Sequence, residues 1–121
     1  MSTLTVTDIR RTGETVSRST RGIAAAWVHF NGTGTVAVGD SENTSSITDI
    51  RAGTYAQNFT SSFADAVFSS VGTGTDNVNG YQIGVSNYAR LAGSTSMRGQ
   101  SSNHAGYDSI FTSYVSHGDL A

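Results

Sequence analysis

Residues 24–38 most constrain what this chain can fold into, because their apolar side chains recur at every second position. Ala26, Val28 and Phe30 share one face of an extended strand, since successive side chains of a strand point to opposite sides. Trp27 and His29 then lie on the other face. The stretch therefore predicts a β-strand that is buried on the Val28 side.

Asn31 and Gly32 follow this strand and predict a tight hairpin turn. Both residues tolerate the positive φ that the two central positions of a type I′ turn require. Val36 and Val38 then share a face of the returning strand. The hairpin makes an antiparallel β fold the starting hypothesis.

The remainder of the chain repeats short alternating segments that are separated by Gly, Asn and Ser. Such spacing favours an antiparallel β-sandwich over a helical fold. We predict an all-β, jelly-roll-like sandwich at residues 23–121, preceded by an extended N-terminal arm at residues 1–22. Further strands are predicted at residues 4–9, 47–49, 55–60, 66–71, 81–85, 94–98 and 110–115, with a polar loop at 41–46, one helical turn at 61–65 and loops at 72–77 and 99–107.

Large apolar side chains are scarce in this chain. Hydrophobic residues make up 36% of the 121 positions, and the 14 glycines add no side chain to a core. A single domain of this length buries only about two-thirds of its unfolded surface. We therefore expect association between copies to supply part of the buried area.

The basic residues concentrate near the N-terminus. The chain has no Lys, and Arg10, Arg11, Arg18 and Arg21 lie within the first 22 residues. These residues carry a net charge of +2, whereas the rest of the chain carries −4. A basic arm is suited to docking on an acidic surface, and a solvated segment without a partner is an equally good interpretation.

The histidines do not predict a metal site. His29, His104 and His117 lack the spacing of zinc ligands, and the chain has no Cys to assist. We expect His29, beside Trp27, to be packed or to lie at an interface. No Ser occupies a G-x-S-x-G elbow, which disfavours a hydrolytic triad.

Paired carboxylates offer an alternative, glycosidase-like chemistry. Asp40 with Glu42, or Asp65 with Asp76, are the candidate pairs, although solvated loop acids are the stronger interpretation. The Gly-Thr-Gly segments are predicted to be turns, because a phosphate loop needs a Lys. We accordingly predict no enzyme, no cofactor and no metal.

Nucleic acid and membrane are not predicted partners. The arm lacks the interleaved aromatic residues that stack on bases. The longest nearly apolar run, residues 22–30, is far shorter than a membrane span, and we expect no signal peptide. Trp27 with Tyr55 or Tyr81 is a candidate sugar-stacking platform, although burial in a core or a subunit interface is favoured.

Three motifs point to a family. They are A-A-W-V-H-F-N-G-T-G-T-V-A at 25–37, S-S-I-T-D at 45–49 and Y-A-Q-N-F at 55–59, and the ending S-Y-V-S-H-G-D-L-A at 113–121 accompanies them. Together they resemble the small β-rich structural proteins of tailed bacteriophages with marine and cyanobacterial hosts. His29 stands where that family has Asn, and residues 50–53 replace a turn richer in Gly and Asn.

The resemblance implies a virion component without catalytic activity. The leading hypothesis is a decoration (cement) protein on the capsid exterior, a homotrimer in which Arg10, Arg11, Arg18 and Arg21 pair with acids of the major capsid protein. The lack of a long shaft segment in this chain favours that role. The alternative is a tail-fibre knob that binds a host glycan through loops 72–80 and 99–107, and a polysaccharide-degrading enzyme ranks third.

Overall fold

The all-β antiparallel class is confirmed by the computed structural model, which describes residues 2–75, 82–101 and 105–121, with backbone alone at 82–84. In chain order the strands are β1 Asp8–Ile9, β2 Arg18–Ser19, β3 Ala26–Asn31, β4 Ala37–Glu42, β5 Thr44–Arg51, β6 Thr54–Phe59, β7 Ser69–Thr75, β8 Gln82–Leu91, β9 Ser94–Gln100 and β10 Phe111–His117, and a one-turn 3₁₀ helix spans Thr20–Gly22.

Eight of these strands form one antiparallel sheet in the order β4-β3-β10-β7-β8-β9-β6-β5. This sheet folds over on itself, because β3 and β6 are far apart in the order and still touch. The rings of Phe30 in β3 and Tyr55 in β6 meet edge to face with their centroids 5.0 Å apart. The result is a two-layer, sandwich-like arrangement, with β4, β3, β10 and β7 in the first layer and β8, β9, β6 and β5 in the second.

The interior between the layers holds two apolar clusters. One joins Val28, Phe30, Tyr55, Met97 and Tyr114, and the other joins Ala26, Phe59, Phe63 and Phe68. Hydroxyl and amide side chains are buried beside them, among them Gln57, Thr95 and Ser116. The predicted alternation in β3 and the shared face of Tyr55 and Phe59 are both confirmed.

Asn43 joins the two edge strands of the sheet. Residues 41–46 are not the predicted polar loop, since β4 ends at Glu42 and β5 begins at Thr44. Asn43 makes the corner at a φ of 51°, a left-handed conformation that Asn tolerates better than most residues. Its Oδ1 accepts from the Ser61 backbone N–H at 2.7 Å, and its Nδ2 donates to the Ala25 carbonyl at 3.1 Å. These bonds hold the bend.

The turn after β3 differs from the predicted type I′ hairpin. Five residues separate Asn31 from Ala37, and within this turn the positive φ, 61°, belongs to Gly34. Gly32 serves another purpose. A Cβ on Gly32 would lie 2.4 Å from the Tyr55 hydroxyl oxygen, so the lack of a side chain lets Tyr55 approach.

Other boundaries also shift. Residues 72–75 continue β7 instead of forming a loop, and the predicted strand at 66–71 begins only at Ser69. Residues 61–65 form no helical turn, because Phe63 makes an isolated bridge to Leu120. The hairpin between β5 and β6 turns at Gly53 as predicted, with a φ of 69°. The predicted strand start at Tyr81 lies outside the described residues.

Residues 2–22 lie outside the eight-stranded sheet and are mostly exposed. The predicted strand at 4–9 shrinks to β1, which pairs only with β2. The backbone N–H of Thr20 donates to the Thr7 carbonyl at 2.9 Å and closes this small hairpin. The division into an arm at 1–22 and a sandwich at 23–121 stays a prediction.

Candidate functional site

The small N-terminal hairpin positions the four arginines that the sequence singles out. Arg10 and Arg11 follow β1, Arg18 begins β2, and Arg21 lies in the 3₁₀ turn. All four side chains are exposed. Exposure allows each guanidinium to reach a partner surface, provided that it is not already engaged within the chain.

The structure divides these arginines into two pairs. Arg18 forms an ion pair with Glu14, and Nε of Arg21 lies 2.9 Å from Oδ1 of Asp119. The guanidinium groups of Arg10 and Arg11 have no hydrogen-bond or ion-pair partner in the described part of the chain. Of these four arginines, Arg10 and Arg11 are therefore the two that no described residue engages and that are available to an external anion, a distinction that the sequence does not make.

A second candidate surface lies on the outer side of the first layer. We call Trp27, His29, Val71, Phe111 and Val115 the outer-face patch. Val115 pairs directly with Trp27 on one side and with Val71 on the other, so the three side chains form a continuous apolar row. Val71 is 61% exposed and Phe111 is 55% exposed. A shallow cavity of about 400 Å³ lies over this row.

His29 is part of this patch and has structural partners. Its Nδ1 lies 2.9 Å from the Ser113 hydroxyl, and its ring stacks on Phe111 with the centroids 5.9 Å apart. The prediction of a packed or interface histidine agrees with these contacts. His104 lies outside the described residues, and His117 is half-buried at the end of β10.

The predicted sugar-stacking pair of Trp27 and Tyr55 does not form. Trp27 faces outward from β3, whereas Tyr55 is buried between the two layers. Tyr81 lies outside the described residues. Tyr88 on β8 is an exposed aromatic residue, and the guanidinium of Arg51 lies 5.5 Å from its ring centroid.

The outer side of the second layer is polar, in contrast to the patch. Its strands present mainly hydroxyl and amide side chains that bond to each other across the sheet. Nδ2 of Asn58 donates to the hydroxyl of Ser46 at 3.0 Å and to that of Thr48 at 2.9 Å. Ser94 and Ser96 continue this surface on β9. We call Ser46, Thr48, Asn58, Ser94 and Ser96 the outer polar face.

A second cavity, of about 600 Å³, is lined by cationic side chains that are already engaged. Nη1 of Arg90 donates to the Phe68 carbonyl at 2.8 Å, and the Arg90 guanidinium also lies 5.9 Å from the Phe68 ring centroid. Arg21 in the same cavity pairs with Asp119. Both arginines thus have structural roles here.

Two of the candidate carboxylates, Asp65 and Asp40, are held in local contacts. Oδ1 of Asp65 accepts from the Val67 backbone N–H at 2.7 Å, and Oδ1 of Asp40 accepts from the Ser41 N–H at 2.8 Å. Asp76 lies outside the described residues. Where the structure describes the chain, no three His, Asp or Glu side chains are grouped closely enough to hold a metal ion.

Sequence reasoning missed Asp108, a half-buried acid with two hydrogen-bond partners. Its Oδ1 lies 2.5 Å from the Tyr55 hydroxyl and accepts from the Gly53 backbone N–H at 2.7 Å. Burial raises the pKa of Tyr55, and the hydrogen bond and negative charge of Asp108 raise it further. These contacts tie the residues before β10 to the β5–β6 turn. No local sequence signal marks Asp108, because its partners are more than 50 residues away.

Comparisons with known proteins matched no protein-family model, no curated protein and no solved structure. Over the described ranges, no helix has the length and apolar character that a bilayer crossing demands.

Proposed function

We propose that this protein is a structural component of a bacteriophage virion, a decoration (cement) protein that binds the major capsid protein on the outside of the head and stabilises it. The proposal starts from the sequence motifs at residues 25–37, 45–49 and 55–59. The protein acts as a homotrimer that binds and does not catalyse. Its docking element is the basic N-terminal segment.

The observation that carries this proposal is the free pair of cations at Arg10 and Arg11. Both are exposed, adjacent in the chain and without a partner among residues 2–75, 82–101 and 105–121, whereas the remaining two arginines of the segment have acidic partners at Glu14 and Asp119. An arginine presents a rigid set of N–H donors that matches a carboxylate. Two adjacent free guanidiniums favour an acidic partner surface.

Charge reversal at Arg10→Glu and Arg11→Glu tests the docking element. Reconstituted heads that lack the protein would be incubated with each variant, and the bound fraction measured by co-sedimentation. We expect the double variant to bind at least about tenfold more weakly, equivalent to about 1.4 kcal/mol, and binding of the wild type to weaken with added salt. Arg51→Glu, an exposed reversal on β5, is the charge-matched control for each single reversal and should bind like the wild type.

Unchanged binding of the double variant contradicts the docking role of Arg10 and Arg11. Equal weakening of binding by Arg51→Glu would show that net charge is responsible, which also contradicts the docking role of Arg10 and Arg11. Circular dichroism of each variant establishes that the fold is intact.

Copy number in purified particles tests the location. A number close to that of the major capsid protein supports decoration of the head. A few dozen copies or fewer would place the protein on the tail and overturn the head assignment.

The alternative function is a tail-fibre knob that recognises a host glycan. The observation that favours it is Tyr88, which is 55% exposed and braced by Arg51 through a 3.2 Å hydrogen bond to its hydroxyl. An exposed aromatic ring near hydroxyl and amide donors is suited to a sugar. Binding on a glycan array that is lost in Tyr88→Ala supports the knob, and an array without binding contradicts it.

A further inference from the structure

We infer that the outer-face patch is covered by another copy of this chain. The inference rests on the self-association included in the proposed function, and it names the surface through which the copies meet. It does not depend on whether the protein is located on the head or on the tail.

The chemistry of the patch is that of an interface centre. Trp27, Val115 and Val71 lie side by side on three neighbouring strands, and Phe111 extends the apolar area through its contact with His29. None of the five patch residues carries a carboxylate, a guanidinium or an ammonium group. Interface centres are depleted of charged residues and enriched in aromatic ones, and contiguous exposed apolar patches mark protein interaction sites.

The second layer of the same sheet provides an internal comparison. Its outer polar face satisfies its own hydrogen bonds, as Asn58 does with Ser46 and Thr48, and suits contact with water. Both outer faces are built from strands of similar length, so strand geometry does not explain why one face is polar and the other carries the apolar row. The second layer also exposes apolar side chains, at Tyr88 and Leu91. The directly paired row of Trp27, Val115 and Val71 lies on the first layer, which indicates that this face is the covered one.

The chain exposes more surface than a compact monomer of its mass is expected to expose. The chain exposes 7500 Å², whereas a compact monomer of 12.6 kDa is expected to expose about 6200 Å². The extended residues 2–22, which lie outside the sheet and are mostly exposed, contribute to this surplus of roughly 1300 Å². A standard interface covers about 800 Å² on each partner.

Charge favours a second copy as the occupant. Each chain carries a net charge of −2, so two copies repel each other weakly. They are best joined through the uncharged row of Trp27, Val115 and Val71, and not through Glu42 and Asp40, which pair with Trp27 and His29 at the edge of the patch. The acidic partner expected for Arg10 and Arg11 requires cations, and the patch has no guanidinium to offer it. The two surfaces therefore suit two different partners. Three patches meeting around a threefold axis would form one closed apolar centre.

Val71→Glu tests the inference, with Val67→Glu as the matched control. Val71 is 61% exposed, and Val67 is 85% exposed and lies outside the patch, so neither change disturbs the core. The oligomeric state would be measured by sedimentation velocity from 1 to 100 µM. We expect an oligomer for the wild type and for Val67→Glu, and an increase in the dissociation constant of at least tenfold for Val71→Glu.

Fluorescence gives a second readout, because Trp27 is the single tryptophan of the chain. Its emission should shift to shorter wavelength and become harder to quench with acrylamide as the wild-type concentration rises. Val71→Glu should abolish that concentration dependence, whereas Val67→Glu should keep it.

The outcomes separate the two levels of the proposal. A wild type that stays monomeric at 100 µM overturns both the self-association and this inference. If Val71→Glu leaves the oligomer intact and Trp27 stays accessible to acrylamide at high protein concentration, the assignment of the interface to the patch is overturned. An oligomer of two copies that is broken by Val71→Glu supports the patch and contradicts the homotrimer.

Discussion

The hydroxyl of Tyr55 lies 2.5 Å from Oδ1 of Asp108, although 53 residues separate the two in the chain. The Tyr55 hydroxyl has one proton, and it shares that proton between Asp108 and the carbonyl oxygen of Gly32, which is 2.8 Å away. The same Asp108 oxygen accepts from the Gly53 backbone N–H. One half-buried carboxylate thus connects three loops at one end of the sandwich.

Replacement of Asp108 should lower stability according to how many of these bonds survive. Asp108→Ala leaves the Gly53 N–H without its acceptor and the Tyr55 hydroxyl with the Gly32 carbonyl alone, at an expected cost of about 1–3 kcal/mol. Asp108→Asn keeps an acceptor oxygen and should cost less. Urea unfolding measures both, with the exposed Asp40→Ala as control. If Asp108→Ala and Asp40→Ala unfold at the same denaturant concentration, the connection adds no stability.

Alkaline pH should destabilise the protein through Tyr55 and Tyr114. Burial is the main cause that raises the pKa of each hydroxyl in the folded state. The unfolded chain releases these protons near pH 10, whereas the folded chain retains them. The stability is therefore complete below pH 10 and falls as the pH rises, by about 1.4 kcal/mol per pH unit for Tyr55. The raised pKa of Tyr114 adds to this loss.

Urea titrations at pH 8 and pH 10.5 measure this dependence. Tyr55→Phe should show a weaker loss between the two pH values than the wild type, because one of the two raised groups is gone. It should also be less stable at pH 8, since Asp108 loses a donor. An identical pH dependence for both proteins refutes the assignment to Tyr55.

Gly32→Ala should destabilise the protein although Gly32 does not have a positive φ. The added Cβ would lie 2.4 Å from the Tyr55 oxygen and 2.7 Å from its Cζ. Relief of such overpacking typically costs about 1–3 kcal/mol. Gly22→Ala is the control, because nothing lies within 4 Å of the new Cβ. Thermal unfolding distinguishes the two, and equal midpoints would show that Tyr55 moves aside freely.

Truncation of Phe63 should remove much of the second apolar cluster. Its ring stacks on Phe68 at 4.2 Å and meets Phe59 edge to face at 4.9 Å. Phe63→Ala is expected to cost about 3–5 kcal/mol, as for other buried aromatic residues. Leu91→Ala, at an exposed strand end, should change stability by less than about 0.5 kcal/mol. Chemical denaturation compares them, and a small loss for Phe63→Ala contradicts a rigid cluster.

Much of the secondary structure was predictable because the period of a strand is local. The alternation of Ala26, Val28 and Phe30 follows from backbone geometry, and so does the shared face of Tyr55 and Phe59. The turn at Gly53 was predictable for the same reason. The corner at Asn43 was missed, since a single left-handed residue between two strands looks like a polar loop in the sequence.

The candidate sites were only partly predictable. Four arginines near the N-terminus are visible in the sequence, but the engagement of Arg21 depends on Asp119 at the opposite end of the chain. The outward position of Trp27 was predicted, whereas the apolar row that it forms with Val115 and Val71 depends on the order of the strands. That order places β10 between β3 and β7.

By itself, the sequence determined the β class, the inward and outward faces of β3 and β6, and the uneven distribution of charge. Local backbone geometry is sufficient for these, because each depends on neighbours within a few residues. The tertiary structure decided which arginines are free, where Asp108 bonds and which outer face collects the apolar side chains. These depend on pairings across the whole chain, which are selected by the joint burial of distant strands and not by any short segment.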